Sequence, residues 1–324
     1  MAEPMTRHAR RRLANIRQAV RRARSRALAP VGLLVETMRV LRTRAAIAAF
    51  QQRPVITRRF AEPRPSPAMP SIVAVITHVA APNRAKELSV VRLTQTLDSL
   101  LESLGHTQLE LVINTIRDRH FSSQLPAHLR DRVVIQEREV AEPLLLGFEA
   151  QAEFIRRAET ADWFLYLEDD ILLDDALVLE KLSYFNAGAP SNALLVPHRY
   201  EFWQGKRTYI DLVSKASADI CSWNRLTIVD VGGWKFAEFE NPHSGFYALS
   251  QAQLQRWIES GRQWYGKISF VAARESAATG CLAETFRLYK PHPDNMSFLE
   301  VRHLDTKYSE EHHRRHKAAA REAT

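Results

Sequence analysis

Between residues 71 and 173, short apolar segments alternate with longer segments of helical periodicity, and this alternation restricts the fold more than any other feature of the chain. Helices are predicted over 85–104 and 144–160, where apolar residues recur every three or four positions. Buried strands are predicted over 71–78, 109–114, 132–136 and 163–167. The alternation predicts an α/β fold with a mostly parallel sheet and helices on both faces. Such sheets bind ligands at the carboxyl ends of their strands.

The second half of the chain continues with shorter elements. Helices are predicted over 176–185 and 251–260, and strands over 193–197, 245–249 and a stretch reaching about residue 231. Gly232 and Gly233 predict a turn. The chain contains neither G-x-G-x-x-G nor a P-loop, which argues against a dinucleotide-binding fold and against an NTPase.

Charge is distributed unevenly along the chain. Residues 1–69 contain 16 Arg, no Lys and three Glu, a net charge of +13, and residues 306–324 carry a net +2. Because the whole chain carries +8, the intervening residues 70–305 carry −7. An acidic domain argues against a nucleic-acid groove and suits a site that gathers carboxylates around a metal.

Four prolines between residues 63 and 70 predict a linker. Residues 1–69 are therefore predicted to form a basic amphipathic helical extension with a Pro-rich linker, 70–305 the catalytic domain and 306–324 a charged tail. The cationic helices of residues 1–50 have two interpretations, peripheral contact with an anionic membrane or packing on the protein itself or on a partner. An organellar transit peptide is a third, less favoured interpretation.

The predicted location is the cytoplasm, with a peripheral position on the inner membrane face under the membrane interpretation. No run of 18 apolar residues is present, so no membrane span is predicted. Cys221 and Cys281 have no CxxC spacing, which is typical of two reduced thiols in a cytosolic protein.

Three consecutive carboxylates, Glu168, Asp169 and Asp170, interrupt the apolar run 163–173. Burying them without partners would cost several kcal/mol each, and their repulsion would favour protonation. A divalent cation removes both costs, and ligands that are all oxygen favour Mg²⁺ or Mn²⁺ over Zn²⁺. In an extended chain Glu168 and Asp170 would point to one side and Asp169 to the other. The alternative interpretation is a solvated acidic turn at the end of a strand.

The apolar strand ending in Glu-Asp-Asp, with Asp174-Asp175-Ala-Leu and then Tyr184-Phe185 after it, resembles the DxD-type motif of GT-A glycosyltransferases. The EDD form is similar to that of N-acetylglucosaminyltransferases that use UDP-GlcNAc. The resemblance covers residues 70–305 in element order, and only the motif closely. It implies a Rossmann-like nucleotide-binding half, a UDP-sugar donor and Mn²⁺ (or Mg²⁺). It also implies that Asp170 binds the metal, while Glu168 and Asp169 contact ribose, donor sugar or metal-bound water.

Further candidate residues follow from the same resemblance. Thr77, His78 and Arg84 would meet the nucleotide, with Arg84 pairing with phosphate oxygens. Asn114 and Asp118 are weaker candidates for contacts with the base. His303 resembles the C-terminal histidine that GT-A enzymes often supply as a further metal ligand, and His292 is its competitor.

An inverting reaction needs a base that deprotonates the acceptor hydroxyl. Glu275, at the start of a predicted helix after an apolar strand, is the favoured candidate, with Glu238 and Glu240 as alternatives. Gly245 is predicted to permit close approach of donor or acceptor. The aromatic residues that could stack on sugar rings, although such residues more often lie in the core, are Trp203, Trp223, Trp234 and Tyr247.

These observations predict a metal-dependent glycosyltransferase that moves a sugar from a nucleotide sugar to a glycan, lipid or other acceptor. Two alternatives remain, a sugar-phosphate nucleotidyltransferase on a related fold and a non-catalytic protein that docks on a membrane or partner. A nucleotidyltransferase would want a Gly-rich basic loop directly after the first strand, and residues 77–84 contain no glycine.

Overall fold

The computed structural model describes residues 69–80, 86–211, 227–239, 241–261, 272–311 and 313–314. The predicted N-terminal extension lies outside these residues, as do Arg84, Cys221, Trp223 and Glu240. The first half contains β1 (Ser71–Thr77), α1 (Lys86–Leu104), β2 (Gln108–Ile116), α2 (Ala127–Arg130), β3 (Val133–Arg138), α3 (Leu146–Arg156), β4 (Trp163–Glu168) and β5 (Ile171–Leu172). The second half contains α4 (Val178–Gly188), β6 (Ala193–Leu195), β7 (His198–Trp203), β8 (Lys206–Tyr209), β9 (Ile228–Val231), β10 (Trp234–Glu238), β11 (Phe246–Ser250), α5 (Gln251–Glu259), α6 (Ala273–Glu275), α7 (Cys281–Ala283), β12 (Arg287–Pro291) and β13 (Glu300–His303).

The central sheet has five strands in the order β11-β4-β1-β2-β3. β1, β2, β3 and β4 are parallel to one another, and β11 is antiparallel to β4 at one edge of the sheet. β1 is buried along most of its length, as expected for a parallel strand covered on both faces. The prediction of a mostly parallel α/β sheet is confirmed.

Helices cover both faces of this sheet. On one face, Leu93 and Leu97 of α1 belong to the same buried cluster as Ile72 and Ile76 of β1. On the other, Phe154 of α3 packs edge-on against two sheet aromatics, with ring centroids 5.7 Å from Phe164 and 6.1 Å from Tyr247. The period-2 alternation of β1 thus supplies one apolar row to each helix layer.

Two smaller sheets extend the domain, in the orders β6-β12-β10-β9 and β5-β13-β7-β8. β5 follows the acidic cluster directly and pairs antiparallel with β13, with His303 opposite Ile171. This pairing brings a histidine more than 130 residues away in sequence beside the cluster. Within the described residues, the helices lack the length and apolar character that crossing a membrane would need.

Most predicted elements of the first half agree with the structure to within a few residues. The predicted helix 144–160 is shorter at both ends, because residues Pro143–Leu145 form a separate 3₁₀ turn before α3 begins and α3 ends at Arg156. Gly232 and Gly233 form the turn between β9 and β10, with φ of 56° and 89°. A π-helical segment, Ser276–Gly280, connects α6 and α7, so Glu275 lies in the first turn of a longer helical region.

Candidate functional site

The site lies at the carboxyl ends of β1 and β4. Thr77, the last residue of β1, is the register partner of Glu168, the last residue of β4. On the other side Thr77 pairs with Asn114 of β2. The structure therefore brings Thr77, His78 and the acidic cluster to one edge of the sheet, where ligands of parallel sheets bind.

Glu168 and Asp170 carry buried oxygens that are not satisfied by the protein. Glu168 Oε1 and Asp170 Oδ1 have no hydrogen-bond partner among the described residues. Burial and the charge of Asp170 raise the pKa of Glu168 to about 7. Burial also raises the pKa of Asp170, although the nearby His303 opposes this effect. Both groups are thus held where a cation would stabilise their charged forms.

Asp169 has a different environment. Its Oδ2 lies 2.6 Å from His78 Nδ1, and its backbone carbonyl accepts a hydrogen bond from Thr96 Oγ1 at 3.2 Å. The His78 side chain is fully buried, and its Nε2 has no hydrogen-bond partner among the described residues. Asp169 is therefore anchored to the end of β1, while Asp170 lies close to β13.

His303 is the histidine that the structure places at the cluster. Its Nε2 lies 3.6 Å from Asp170 Oδ2, and its Nδ1 lies 2.9 Å from Glu201 Oε1. His292 instead accepts a hydrogen bond from the backbone N–H of Asp294 at the start of a 3₁₀ helix. His303 is therefore the candidate whose ring nitrogen lies within reach of a cation held by Asp170.

Arg92 of α1 adds positive charge behind Asp170. Its Nη1 is 3.8 Å from Asp170 Oδ2, and its Nη2 is 3.3 Å from Asp305 Oδ2. The side chain is almost fully buried. Arg92 therefore offsets part of the charge of the cluster without making a close hydrogen bond to Asp170.

The described residues contain no group of three or more His, Cys, Asp or Glu side chains arranged to enclose a metal ion. Mg²⁺ and Mn²⁺ sites in nucleotide enzymes are commonly built from one or two side chains, substrate phosphates and water. Asp170, with an unpartnered buried oxygen, and His303 Nε2 beside it supply such a partial set. The residues present therefore fit a cation whose coordination is completed by oxygen atoms of the substrate.

A cavity of about 270 Å³ opens at the cluster. Among the residues that line it are Thr77, Arg119, Glu168, Asp169, Asp170 and Arg274. Burial disfavours the charge of Arg274, yet nearby acidic groups, Glu168 first, raise its pKa overall. Arg119 donates to the backbone carbonyl of Ala80 at 3.2 Å. The cavity thus combines carboxylates for a cation with two guanidinium groups for an anion.

Gly245 lies behind Glu168, outside the cavity lining. Its φ is +60°, and its carbonyl accepts a hydrogen bond from the Glu168 N–H at 2.9 Å. A Cβ here would lie 3.1 Å from Ile171 and 3.3 Å from Glu168 Oε2. The group that lies close to Gly245 is therefore the Glu168 carboxylate. The close approach of a donor or acceptor at Gly245 stays a prediction.

Glu275 is not among the residues that line the cavity, whereas its neighbour Arg274 is. Glu275 Oε2 is buried and lacks a hydrogen-bond partner within the described part of the chain. The apolar strand predicted before it falls largely within residues 262–271, outside the described residues. Its role as a base stays a prediction.

The alternative base Glu238 belongs to β10 in the second sheet. Its Oε2 accepts a hydrogen bond from Arg287 Nη2 at 2.8 Å, and it does not line the cavity. The structure thus gives Glu238 a cross-strand ion pair, which accounts for its charge without catalysis.

The structure also shows the surroundings of three further candidates, two for contacts with the base and one for stacking on a sugar. Asn114 is buried and accepts a hydrogen bond from Arg138 Nε at 3.1 Å, and Asp118 is a turn residue with φ of 59°. Tyr247 is buried and stacked on Tyr166 at 5.0 Å, so it is a core residue that no sugar ring reaches.

The two described tryptophans among the candidates lie against other rings. The Trp203 ring is 4.7 Å from His313, and Trp234, which is 43% exposed, is 5.1 Å from Phe298. Neither lines the cavity at the acidic cluster.

Four site residues were not predicted from the sequence: Arg92, Arg119, Glu201 and Arg274. Arg92 and Glu201 reach the site from α1 and β7, so only tertiary packing brings them there. Arg274 had a detectable signal, because it directly precedes the predicted base Glu275.

No protein-family model matches the chain, and no curated protein sequence matches it. Among solved structures, a CMP:2-keto-3-deoxy-manno-octonic acid synthetase complexed with CTP is similar at 14% identity, with a TM-score of 0.41, over 77% of this chain and 99% of that one. A 4-diphosphocytidyl-2C-methyl-D-erythritol synthase has 12% identity and a TM-score of 0.34, over 68% of this chain and 88% of the other. A mycobacterial protein has 13% identity and a TM-score of 0.37, over 72% and 65%. At TM-scores below 0.5, these likenesses do not decide the activity of this chain.

Proposed function

We propose that this chain is a divalent-metal-dependent glycosyltransferase that uses a nucleotide sugar, with a UDP-sugar as the expected donor and Mn²⁺ or Mg²⁺ as the cation. The observation that carries the proposal is the pair of unpartnered buried oxygens on Glu168 and Asp170, at a cavity that also presents Arg119 and Arg274. A cation bound to a diphosphate has both charges that this cavity complements.

Each part of the site has a role in this proposal. Asp170 and His303 hold the cation, which when bound neutralises the charge that develops on the leaving diphosphate. Arg274 and Arg119 bind phosphate oxygens from the cavity wall. Glu168 and Asp169 orient the ribose or the donor sugar by accepting hydrogen bonds from hydroxyl groups.

In the transfer, the acceptor hydroxyl oxygen forms a bond to the anomeric carbon as the bond from that carbon to the diphosphate oxygen breaks. The acceptor proton must pass to a base, and in an inverting reaction Glu275 is the proposed base. The acceptor is a glycan, a lipid or another hydroxyl compound. Contact of residues 1–50 with an anionic membrane remains part of the proposal as a way to reach a lipid acceptor.

Sugar-phosphate nucleotidyl transfer is the second candidate, and it is the one that the similar solved structures favour. Two of these structures are of nucleotidyltransferases whose names include a cytidine nucleotide. Against this alternative, residues 77–85 contain no glycine, whereas a triphosphate-binding loop after β1 would need a backbone that approaches phosphates closely.

The products separate the two reactions. The full-length chain would be incubated with Mn²⁺ and a panel of UDP- and GDP-sugars, and in parallel with CTP or UTP and sugar 1-phosphates. A glycosyltransferase is expected to release nucleoside diphosphate in the first set, because water replaces the absent acceptor and takes the sugar, and to release no pyrophosphate in the second. Pyrophosphate release that depends on the sugar phosphate would establish the alternative instead. Activity in neither set, together with no nucleotide binding, would favour a non-catalytic docking protein.

A further inference from the structure

We infer that Glu201 is a positioning residue that fixes the tautomer of His303, so that Nε2 is presented unprotonated to a divalent cation beside Asp170. The inference rests on the proposed cation site and concerns Glu201, which the sequence analysis did not assign. It begins with the burial of Glu201, whose side chain is fully enclosed although it carries a carboxylate.

Both carboxylate oxygens of Glu201 are occupied. Oε1 lies 2.9 Å from His303 Nδ1, and Oε2 accepts a hydrogen bond from the backbone N–H of Ser309 at 2.8 Å. Because a carboxylate only accepts hydrogen bonds, Nδ1 of His303 must carry the proton in this contact. A neutral His303 then has its lone pair on Nε2.

The position of that nitrogen makes the arrangement specific. His303 Nε2 lies 3.6 Å from Asp170 Oδ2, so the nitrogen that carries the lone pair and a carboxylate oxygen are neighbours. Two acceptors in this position repel each other unless a positive charge lies at the site. An imidazolium proton or a bound metal ion would supply that charge, and histidine ligands commonly donate their second ring N–H to a carboxylate in this way.

The backbone contact of Glu201 predicts that glutamine would not preserve the tautomer of His303. The Ser309 N–H requires an acceptor, and in Glu201→Gln the amide oxygen is the group that can accept it. The amide NH₂ then faces His303 Nδ1 and donates to it. This reverses the tautomer and places an N–H of His303 toward the cation site.

The first test measures the tautomer without any metal. The ¹⁵N shifts of His303 would be recorded in the metal-free full-length protein while the pH is raised, until the shifts show that the ring has lost its imidazolium proton and is neutral. Wild type is expected to show the Nδ1–H form and Glu201→Gln to lose it, while Glu238→Gln, the same substitution in the second sheet, leaves it unchanged. An unchanged His303 tautomer in a folded Glu201→Gln variant would overturn the inference.

The second test measures Mn²⁺ affinity in the presence of UDP by calorimetry. Glu201→Gln is expected to weaken Mn²⁺ binding by about tenfold or more, and His303→Ala by at least as much. Equal affinities in wild type and Glu201→Gln would overturn the inference. If Mn²⁺ binding depends on Glu201 but no nucleotide sugar is turned over, the proposed function fails and this inference stands. If turnover depends on metal but not on Glu201, the proposed function stands and this inference fails.

Discussion

Thr77 and Glu168 lie opposite each other at the ends of the parallel strands β1 and β4. The residues that directly follow them, His78 and Asp169, are also in contact, with His78 Nδ1 2.6 Å from Asp169 Oδ2. This contact engages Asp169 and leaves Glu168 and Asp170 with buried oxygens that have no partner among the described residues. The three adjacent acids therefore differ in environment because of the strand pairing behind them.

Asp170→Asn should abolish stabilisation by Mn²⁺ with UDP. Wild type at 100 times the dissociation constant should gain about 2.7 kcal/mol from ligand binding, visible as a higher Tm. The metal-free variant should be at least as stable as wild type, since a neutral amide avoids burying a charge. Thermal unfolding with and without Mn²⁺ measures both effects. Asp98→Asn, at an exposed pair with His128, is the control, and a persisting Mn²⁺ shift in Asp170→Asn would contradict the assignment.

Gly245→Ala should be more harmful than Gly233→Ala. Both glycines have positive φ, but a Cβ at Gly233 meets nothing within 4 Å, whereas one at Gly245 meets Ile171 and Glu168. Gly233→Ala should cost about 1 kcal/mol from backbone strain alone. Gly245→Ala should cost roughly 1–3 kcal/mol more and lower turnover, because it displaces Glu168. Urea unfolding of the two variants tests this, and equal losses would show that no close packing exists at Gly245.

Arg274→Gln should weaken UDP binding by about tenfold, the loss expected for one charge-assisted contact to phosphate. Arg274→Lys should recover part of that affinity, because the positive charge is kept. Calorimetry with UDP and Mn²⁺ gives the comparison. Arg256→Gln, which removes an exposed guanidinium bonded to Ser191, should have no effect. An Arg274→Gln variant with wild-type affinity would place the phosphates elsewhere.

Acid should destabilise the protein through His198. Burial and the nearby Lys290 lower the pKa of His198 to about 4, from 6.5 in the unfolded chain. Between these values the unfolded state binds more protons, so stability is lost as pH falls from about 6.5 towards 4. His198 should account for about 2 kcal/mol between pH 7 and 5.

His198→Gln tests the pH effect directly. The amide can still donate to the Pro291 carbonyl, which lies 2.7 Å from His198 Nε2, but it does not titrate. Its unfolding free energy should therefore depend less on pH than that of wild type. Parallel pH dependence in the two proteins would assign the acid sensitivity to other groups.

The central sheet could be predicted well from the sequence. Its strands are continuously apolar, and the helices that cover it have a regular helical spacing of apolar residues. β12 and β13 were not predicted, because Lys290 and Arg302 interrupt their apolar pattern. Lys290 can be buried because its ammonium group contacts Asp211 at 2.7 Å and the His243 carbonyl at 2.8 Å, and pairings across 79 and 47 residues leave no local signal. The same limit hid Glu201, whose partner His303 lies on another strand.

The placement of the acidic cluster at a strand end could be predicted, since the carboxylates directly follow an apolar run. The position of His303 beside it was anticipated from a family resemblance, and the pairing of β13 with β5 produces it. The ligand contact predicted for Gly245 stays a prediction, and the contact that the structure shows there is between the left-handed turn and Glu168.

Binding of a nucleoside diphosphate through a divalent cation at Glu168-Asp169-Asp170 can be measured by calorimetry. UDP would be titrated into the full-length protein with Mn²⁺ and then with a chelator. We expect saturable binding that requires Mn²⁺ and is lost in Asp170→Asn but kept in Asp98→Asn. UDP binding that is the same without metal or in Asp170→Asn, or no binding in any condition, would contradict it.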